Sequence, residues 1–366
     1  MLSVALRNML AGKGRTAFSV GGVAVATLLL VFVVGLYRGW SGALAEYIEK
    51  TQADIWVVGE GADSFFTPAP LFSQTIFPVR ETAGVERADA VVGRPMKLRR
   101  GDDRWDSYII GFEAGAAGGP VRVKKGVGTP KGFEIVIDDV LARTAGLDIG
   151  DEVILGRTDF TIVGIAEGGN LVLAQLSFVA KETARALLGL DHVSAFVLVQ
   201  TVEGEEDAVV ARINGSVDGV AAFRSEVFTH NSQQVLRRSI LPVLLVIVIM
   251  ATIVGTIVVG LTVYTVVLEK EREFGILKAI GVSAPGLLRV VFEQSLVCGL
   301  AGYALGVGLA YALAGLASVT IPQVVTTFRW QDLLLVLAAA GVMSFLAGLI
   351  PMQRVIRVDA LSVFKA

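Results

Sequence analysis

Four long apolar stretches divide this chain, and the region between the first two is built differently from the rest. Ala17–Leu36 holds about 20 residues without a charge, enough to cross a bilayer core at about 1.5 Å per residue. It ends in Tyr37, Arg38, Gly39 and Trp40, whose rings suit a membrane interface. A cleaved signal peptide would have a shorter apolar core with a small-residue cleavage site behind it, so a retained span is expected. Later runs fill Ile240–Leu268, Leu287–Ala317 and Leu333–Ile350, the last closed by Pro351. The run from Ile240 is too long to stand upright, so it tilts or emerges from the bilayer. Thr252, Thr256 and Gly260 share one of its faces at four-residue spacing, and Gly302 and Gly306 form a G-x-x-x-G pair. Both patterns favour close helix packing. Glu293, near the start of the third run, is expected at the interface.

Between Ser41 and Arg238 the period changes. Ala43–Gln52 reads as a helical continuation of the first span. Short β-branched runs bounded by Gly, Asp or Pro then predict strands at Asp54–Val58, Ala90–Val92, Asp106–Phe112, Glu134–Ile137, Glu152–Leu155, Phe160–Ile165, Leu176–Val179 and Ala195–Val199. Ile137–Ala145, Lys181–Leu188 and Glu203–Ile213 read as helices, and Gly150-Asp151 as the turn that opens a strand. The region is an α+β domain.

Composition agrees: 54% of the 366 residues are hydrophobic and 18% charged, with a mean hydropathy of +0.66. That is too apolar for a soluble chain. The net charge of −2 argues against a nucleic-acid partner. Cys298 is the one cysteine, so no internal disulfide forms, and neither His192 nor His230 has a neighbour at ligand spacing. No metal site is expected. There is no G-x-S-x-G elbow, histidine pair or Cys–His pair, so no catalytic residues are assigned. Gly12-Lys13 lacks the upstream glycine and following Ser/Thr of a phosphate loop. Lys124, Lys125 and Lys131 beside Gly126, Gly128 and Gly132 either cradle an anion or form a plain flexible loop. The segment with Phe65, Phe66, Pro68, Pro70, Leu71, Phe72 and Phe77 either packs on the domain core or offers an apolar substrate surface.

The stretch Glu269–Gly281 stands out. Five consecutive charges, Glu269 to Glu273, precede Phe274, Ile276, Leu277 and Ile280 at helical spacing. Set between two apolar runs, it must project into water, either as a docking ridge for another protein or as a solvated loop. Arg7, Lys13 and Arg15 precede the first span. Lys270, Arg272, Lys278 and Arg289 surround the middle loop, and Arg354, Arg357 and Lys365 follow the last span, whereas the loop after the third holds only Arg329. The positive-inside rule places both termini and the middle loop in the cytoplasm and the α+β domain outside. Met1–Leu10, with Leu2, Leu6, Met9 and Leu10 on one face, suits an interfacial helix.

Glu271-Arg272-Glu273-Phe274-Gly275-Ile276-Leu277-Lys278-Ala279-Ile280-Gly281 resembles the signature of the FtsX-like, MacB-type permeases of ABC transporters. The layout is similar too: one span, a large external domain, then three spans. Leu6–Leu10 looks like that family's N-terminal interfacial helix, and Gly146–Val153 resembles a pattern of lipoprotein-releasing and related exporters. Pro351, Arg354 and Asp359-Ala360-Leu361 look like its closing segment, with Ala360 where the family usually has proline. The resemblance implies that Glu269, Glu271, Arg272, Glu273, Phe274, Gly275, Ile276, Lys278 and Gly281 couple to a separate ABC ATPase dimer. ATP is then bound by that partner, with no cofactor on this chain. It also implies a second permease copy, identical or related, membrane lipid around the spans, and room for a periplasmic adaptor.

The expected architecture is an integral membrane α-helical protein with four transmembrane helices and a large extracytoplasmic α+β domain between the first and second. Its parts are an interfacial helix at 1–16, spans at 17–40, 239–268, 287–317 and 333–350, the external domain at 41–238, a coupling loop at 269–286, a short external loop at 318–332 and a cytoplasmic tail at 351–366. The expected function is a permease subunit in a bacterial cytoplasmic (inner) membrane that exports or extracts an apolar or amphipathic substrate. The alternative is an FtsX-like transmitter that controls an external partner without transport.

Overall fold

The computed structural model describes residues 13–171, 174–189, 192–269, 271–279, 283–321 and 323–357. The expected helix Met1–Leu10 and the closing Asp359–Leu361 lie outside the described residues. The first helix, α1, runs unbroken from Lys13 to Lys50, about 57 Å at 1.5 Å per residue. It therefore includes the expected continuation beyond the first apolar run.

After α1 come β1 (Ile55–Gly59), β2 (Leu71–Phe72), a short 3₁₀ turn and α2 (Ile76–Glu81). Next are β3 (Val85–Arg100), β4 (Asp103–Phe112), β5 (Arg122–Gly126), β6 (Glu134–Asp138) and α3 (Asp139–Ala145). The domain continues with β7 (Glu152–Leu155), β8 (Thr158–Glu167), β9 (Gln175–Ala180), α4 (Lys181–Leu188), β10 (Val193–Ser194), β11 (Phe196–Thr201), α5 (Glu206–Ser216) and β12 (Val220–Arg224). Two corrections follow. Ile137 and Asp138 belong to β6, not to a helix, because Ile137 pairs with Ile165 and Asp138 caps α3, its side chain accepting from the Val140 N–H. Lys124, Lys125 and Gly126, read with Gly128, Lys131 and Gly132 as a cradle or a loop, lie on the strand Arg122–Gly126 paired with β8.

Ten strands form one mixed sheet in the order β12-β1-β11-β3-β4-β9-β6-β8-β5, with β7 bridging β3 and β8. Alternate residues go to opposite faces. Trp56, Val136 and Leu198 join an aromatic-rich core with Tyr47, Phe65, Tyr108, Phe178, Phe196 and Phe228. Their neighbours Val57, Val197 and Val199 pack under α2 and α5 with Val79, Val209 and Ile213. Ile135 and Ile137 pack under α3 and α4 with Leu141, Leu188 and Phe160. Both faces of the sheet are thus covered. The α3 helix stops at Gly146, whose φ of +62° lets its N–H return to the Ala142 carbonyl.

The other long helices are α6 (Ser225–Glu269), α8 (Ala284–Thr320) and α9 (Trp330–Arg357), with the short α7 (Glu271–Ala279) after α6. Four helices, covering Thr16–Lys50, Ser225–Glu269, Pro285–Thr320 and Trp330–Gln353, are long and apolar enough to cross a membrane. Pro351 lies inside α9 and does not close it. Proline frees the carbonyl four residues back, here Ala347, and in apolar surroundings a neighbouring helix compensates; a Cβ on Gly260 would stand 3.3 Å from that oxygen. The chain divides into two compact units, one of Met1–Arg38, Leu241–Ala317 and Thr326–Ala366, the other of Gly39–Ile240 with Ser318–Val325.

Candidate functional site

The charged stretch folds as α7, nine residues, about 14 Å long. Lys278 occupies its last turn, where a cation meets the negative end of the helix. Arg272, Glu273 and Ile276 are exposed, Lys278 is half-buried and Gly275 is buried. At about 100° per residue the three exposed positions share an arc of roughly 100°, while Gly275 and Lys278 fall on another side. Ile276, 45% exposed, is therefore flanked by one cation and one anion on a single outward side. Glu269, the last residue of α6, is exposed as well. The side chains of Glu271, Phe274 and Leu277, together with Ile280 and Gly281, lie outside the described residues.

Glycines set the packing of the long helices. A Cβ on Gly302 would stand 2.5 Å from Val23 Cβ, and one on Gly306 would stand 2.5 Å from the Ala24 oxygen and 2.6 Å from Thr27 Cβ. The G-x-x-x-G pair thus brings α8 onto the backbone of α1. On α6 the expected Gly260 is buried, whereas Thr252 and Thr256 are half-buried beside a second buried line. Thr252 and Thr256 return their hydroxyls to Val248 and Thr252 carbonyls of their own helix, at 2.8 and 2.7 Å. The deeply buried positions of that line are Ala251, Val259, Val263 and Val267, in line with Gly255, which packs on Ala26 and Met343. Gly260 faces Ala347. Between α1 and α6 runs an apolar groove of about 730 Å³, lined by Phe18, Gly21, Val25, Met250 and Val254 among others.

The aromatic segment splits. Phe65 is 1% exposed, stacked on Phe196 at 5.2 Å and edge-on to Tyr47 at 5.9 Å. It is a core residue, so of the two readings of this segment packing holds for Phe65, and the substrate-surface assignment of Phe65 falls. Phe66 is half-buried, whereas Phe72 on β2 and Phe77 on α2 are 62% and 61% exposed. Lys124 and Lys125 are not free to cradle an anion. Lys124 lies 3.0 Å from both Asp139 and Glu167, and Lys125 2.6 Å from Asp148. Glu167 and Asp139 raise the Lys124 pKa, and Lys125 holds Asp148 below the usual carboxylate range.

Asp138, 1% exposed, accepts the Val140 N–H at 2.9 Å and the Gly169 N–H at 3.0 Å. Burial pushes its pKa up to about 7, against those two donors. Neither it nor the β8–β9 loop it holds carries a sequence motif. Only the Asp directly before a helical run, a common N-cap pattern, signals it.

The family model for the FtsX-like permease C-terminal region matches residues 245–360. That for the MacB-like periplasmic core domain matches residues 16–216. An uncharacterized ABC transporter permease of Mycobacterium bovis is 24% identical over 98% of this chain and 98% of its own. A probable export ATP-binding/permease protein of Pseudomonas fluorescens is 22% identical over 94% of this chain and 57% of its own. Among solved structures, the periplasmic region of MacB from Actinobacillus actinomycetemcomitans aligns over 51% of this chain and 96% of that one, at 11% identity and a TM-score of 0.39.

Proposed function

Because the chain belongs to the family of FtsX-like permeases with a MacB-like periplasmic core domain, we propose that it is the permease subunit of an ABC exporter for an apolar or amphipathic substrate. It is a membrane protein, and an ABC permease works with an ATPase. The observation that carries the finer reading is α7: a separate nine-residue helix between two long apolar ones, with Ile276 exposed between Arg272 and Glu273. An apolar side chain ringed by charge supplies buried area and register to a docked protein. The ATPase is read as a separate dimer that binds the ATP. Export, rather than signalling, is favoured by relatives such as the Pseudomonas protein, named a probable export ATP-binding/permease protein.

In this reading α7 lies in the cytoplasm of a bacterial inner membrane with both termini, as the short basic segments direct, and the sheet domain lies outside. Phe72 and Phe77 offer an apolar surface to substrate or to an adaptor. The test is co-purification of the ATPase in detergent with Glu273→Ala/Phe274→Ala and, separately, Ile276→Asp. Burying a charge where an isoleucine docks should lower recovery of the ATPase about tenfold or more, with permease yield unchanged. Undiminished recovery in both variants refutes docking at α7. Substrate accumulation in a deletion strain supports export, whereas a cell-wall or division defect without accumulation supports the transmitter.

A further inference from the structure

The loop joining β8 to β9 is pinned at its base. The Gly169 N–H reaches Asp138 Oδ2 at 3.0 Å, and the Leu176 N–H returns to the Gly169 carbonyl at 2.7 Å. A Cβ at Gly169 would stand 3.0 Å from both Asp138 Oδ2 and Leu176 Cβ, so any other residue there would push both neighbours aside. Leu171, 3% exposed, anchors the loop in the aromatic core. Two buried amides follow from that anchorage. Asn170 and Gln175 are each 6% exposed. Gln175 Nε2 donates to Asn170 Oδ1 at 3.4 Å, and Asn170 Nδ2 donates to the carbonyl of Gln323 at 3.4 Å.

Gln323 lies in the connection between α8 and α9, and its stretch Ser318–Val325 groups with the sheet domain although the flanking helices group with the membrane unit. The Gln323 carbonyl also accepts the Val325 N–H at 3.0 Å, and the Val324 N–H donates to Ile321 at 2.9 Å, so the connection is a compact turn. Its far end is held by α1. The Thr327 N–H donates to the Gly35 carbonyl at 2.9 Å, and Phe328 lies against Gly35 and 4.6 Å from the Tyr311 ring. Arg38 grips Asp332 through two contacts, at 3.0 and 3.2 Å.

We propose that the β8–β9 loop is a latch on the α8–α9 connection, with Asn170 as its positioning residue. The proposal rests on the permease reading. A displacement of the sheet domain, carried by α1 and α6 because both continue into it, is also delivered to α8 and α9 through this latch. A nearly buried amide that loses its partner is costly, so the latch is either closed or open rather than sliding.

The test uses the full permease with its ATPase in nanodiscs, on a Cys298→Ser background with Val324→Cys in the half-buried turn. The readout is the rate of maleimide labelling, alongside ATPase recovery and export. Asn170→Asp keeps the acceptor facing Gln175 but turns an oxygen toward the Gln323 carbonyl. It should label about three- to tenfold faster, with the ATPase still bound and export reduced. Gln323→Ala leaves the carbonyl in place and should label at the parent rate. An unchanged rate in Asn170→Asp, or a raised rate with undiminished export, overturns the proposal. Should Asn170→Asp fail to accumulate, Gln175→Ala, which removes the amide that donates to Asn170 Oδ1, is judged by the same criteria. A parent chain that recovers no ATPase defeats the permease reading, while the labelling still reports on the latch.

Discussion

Asp138 sets a pH response that its neighbours oppose. Its carboxyl is raised from 3.8 to about 7 by burial and by Asp139, while the Val140 and Gly169 N–H groups and Arg143 pull it down. When a folded-state pKa is raised, the unfolded chain loses its proton first, so stability falls as pH rises from about 4 to about 7 and is level above that. The slope in that window is at most about 1.4 kcal/mol per pH unit. Glu113 acts in the opposite sense: Lys181 at 2.7 Å lowers its pKa from 4.5, a contribution present at neutral pH and lost on acidification. The two windows barely overlap, so they can be separated. The thermal midpoint of the full chain in detergent should fall between pH 5 and 7, and Asp138→Asn, which still caps α3 through one oxygen, should flatten that fall. An equally steep fall in the variant would remove Asp138 as the source.

Elements pack through residues whose smallness matters more than their chemistry. At Gly306 an added methyl would meet the Ala24 carbonyl and Thr27 Cβ, and a backbone oxygen cannot swing aside as a side-chain tip can. Gly306→Ala should therefore cost about 1–3 kcal/mol, whereas Gly308→Ala, with nothing within 4 Å of the new carbon, should be neutral. Thermal aggregation midpoints in detergent compare the pair, and equal midpoints would count against this contact. The same contrast explains what the sequence could reveal. β7 was legible because Val153, Ile154 and Leu155 form a short β-branched-rich run between Asp151 and Gly156. β3 was seen only at Ala90–Val92, since its outer half carries Pro95, Lys97, Arg99 and Arg100, residues that read as loop until β4 and β7 are beside them. β5 is an edge strand with every residue exposed, and charge is how edges avoid pairing with strangers. On α6 Gly260 is buried against Ala347 whereas Thr252 and Thr256 are only half-buried, because a helix in lipid is apolar all round and hydrophobicity does not mark which side is packed. α7 was legible because five charges between apolar runs leave few alternatives, although exposure, which decides what it offers a partner, had to come from the fold.

At the scale of the whole molecule, the proposed permease needs a second copy beside its four apolar helices, and the apolar groove between α1 and α6 is where that copy is expected to seat. Its walls include Gly21, Gly22 and Gly255, and small residues let helices from separate chains approach closely in lipid, where hydrophobicity alone does not drive association. Gly22 and Gly255 already face Val258 and Met343 of their own chain, but a Cβ at Gly21 meets nothing within 4 Å. Gly21→Leu therefore fills the groove without disturbing the unit that forms it. If a second copy occupies the groove, the variant should shift the complex to monomer in mass photometry at an unchanged thermal midpoint. ATPase turnover should fall with it, since two ATPase subunits docked on separate permeases no longer meet. If lipid fills the groove instead, the dimer survives Gly21→Leu and only lipid co-purification changes. A dimer that persists with full ATPase turnover would place the seam between copies on another face.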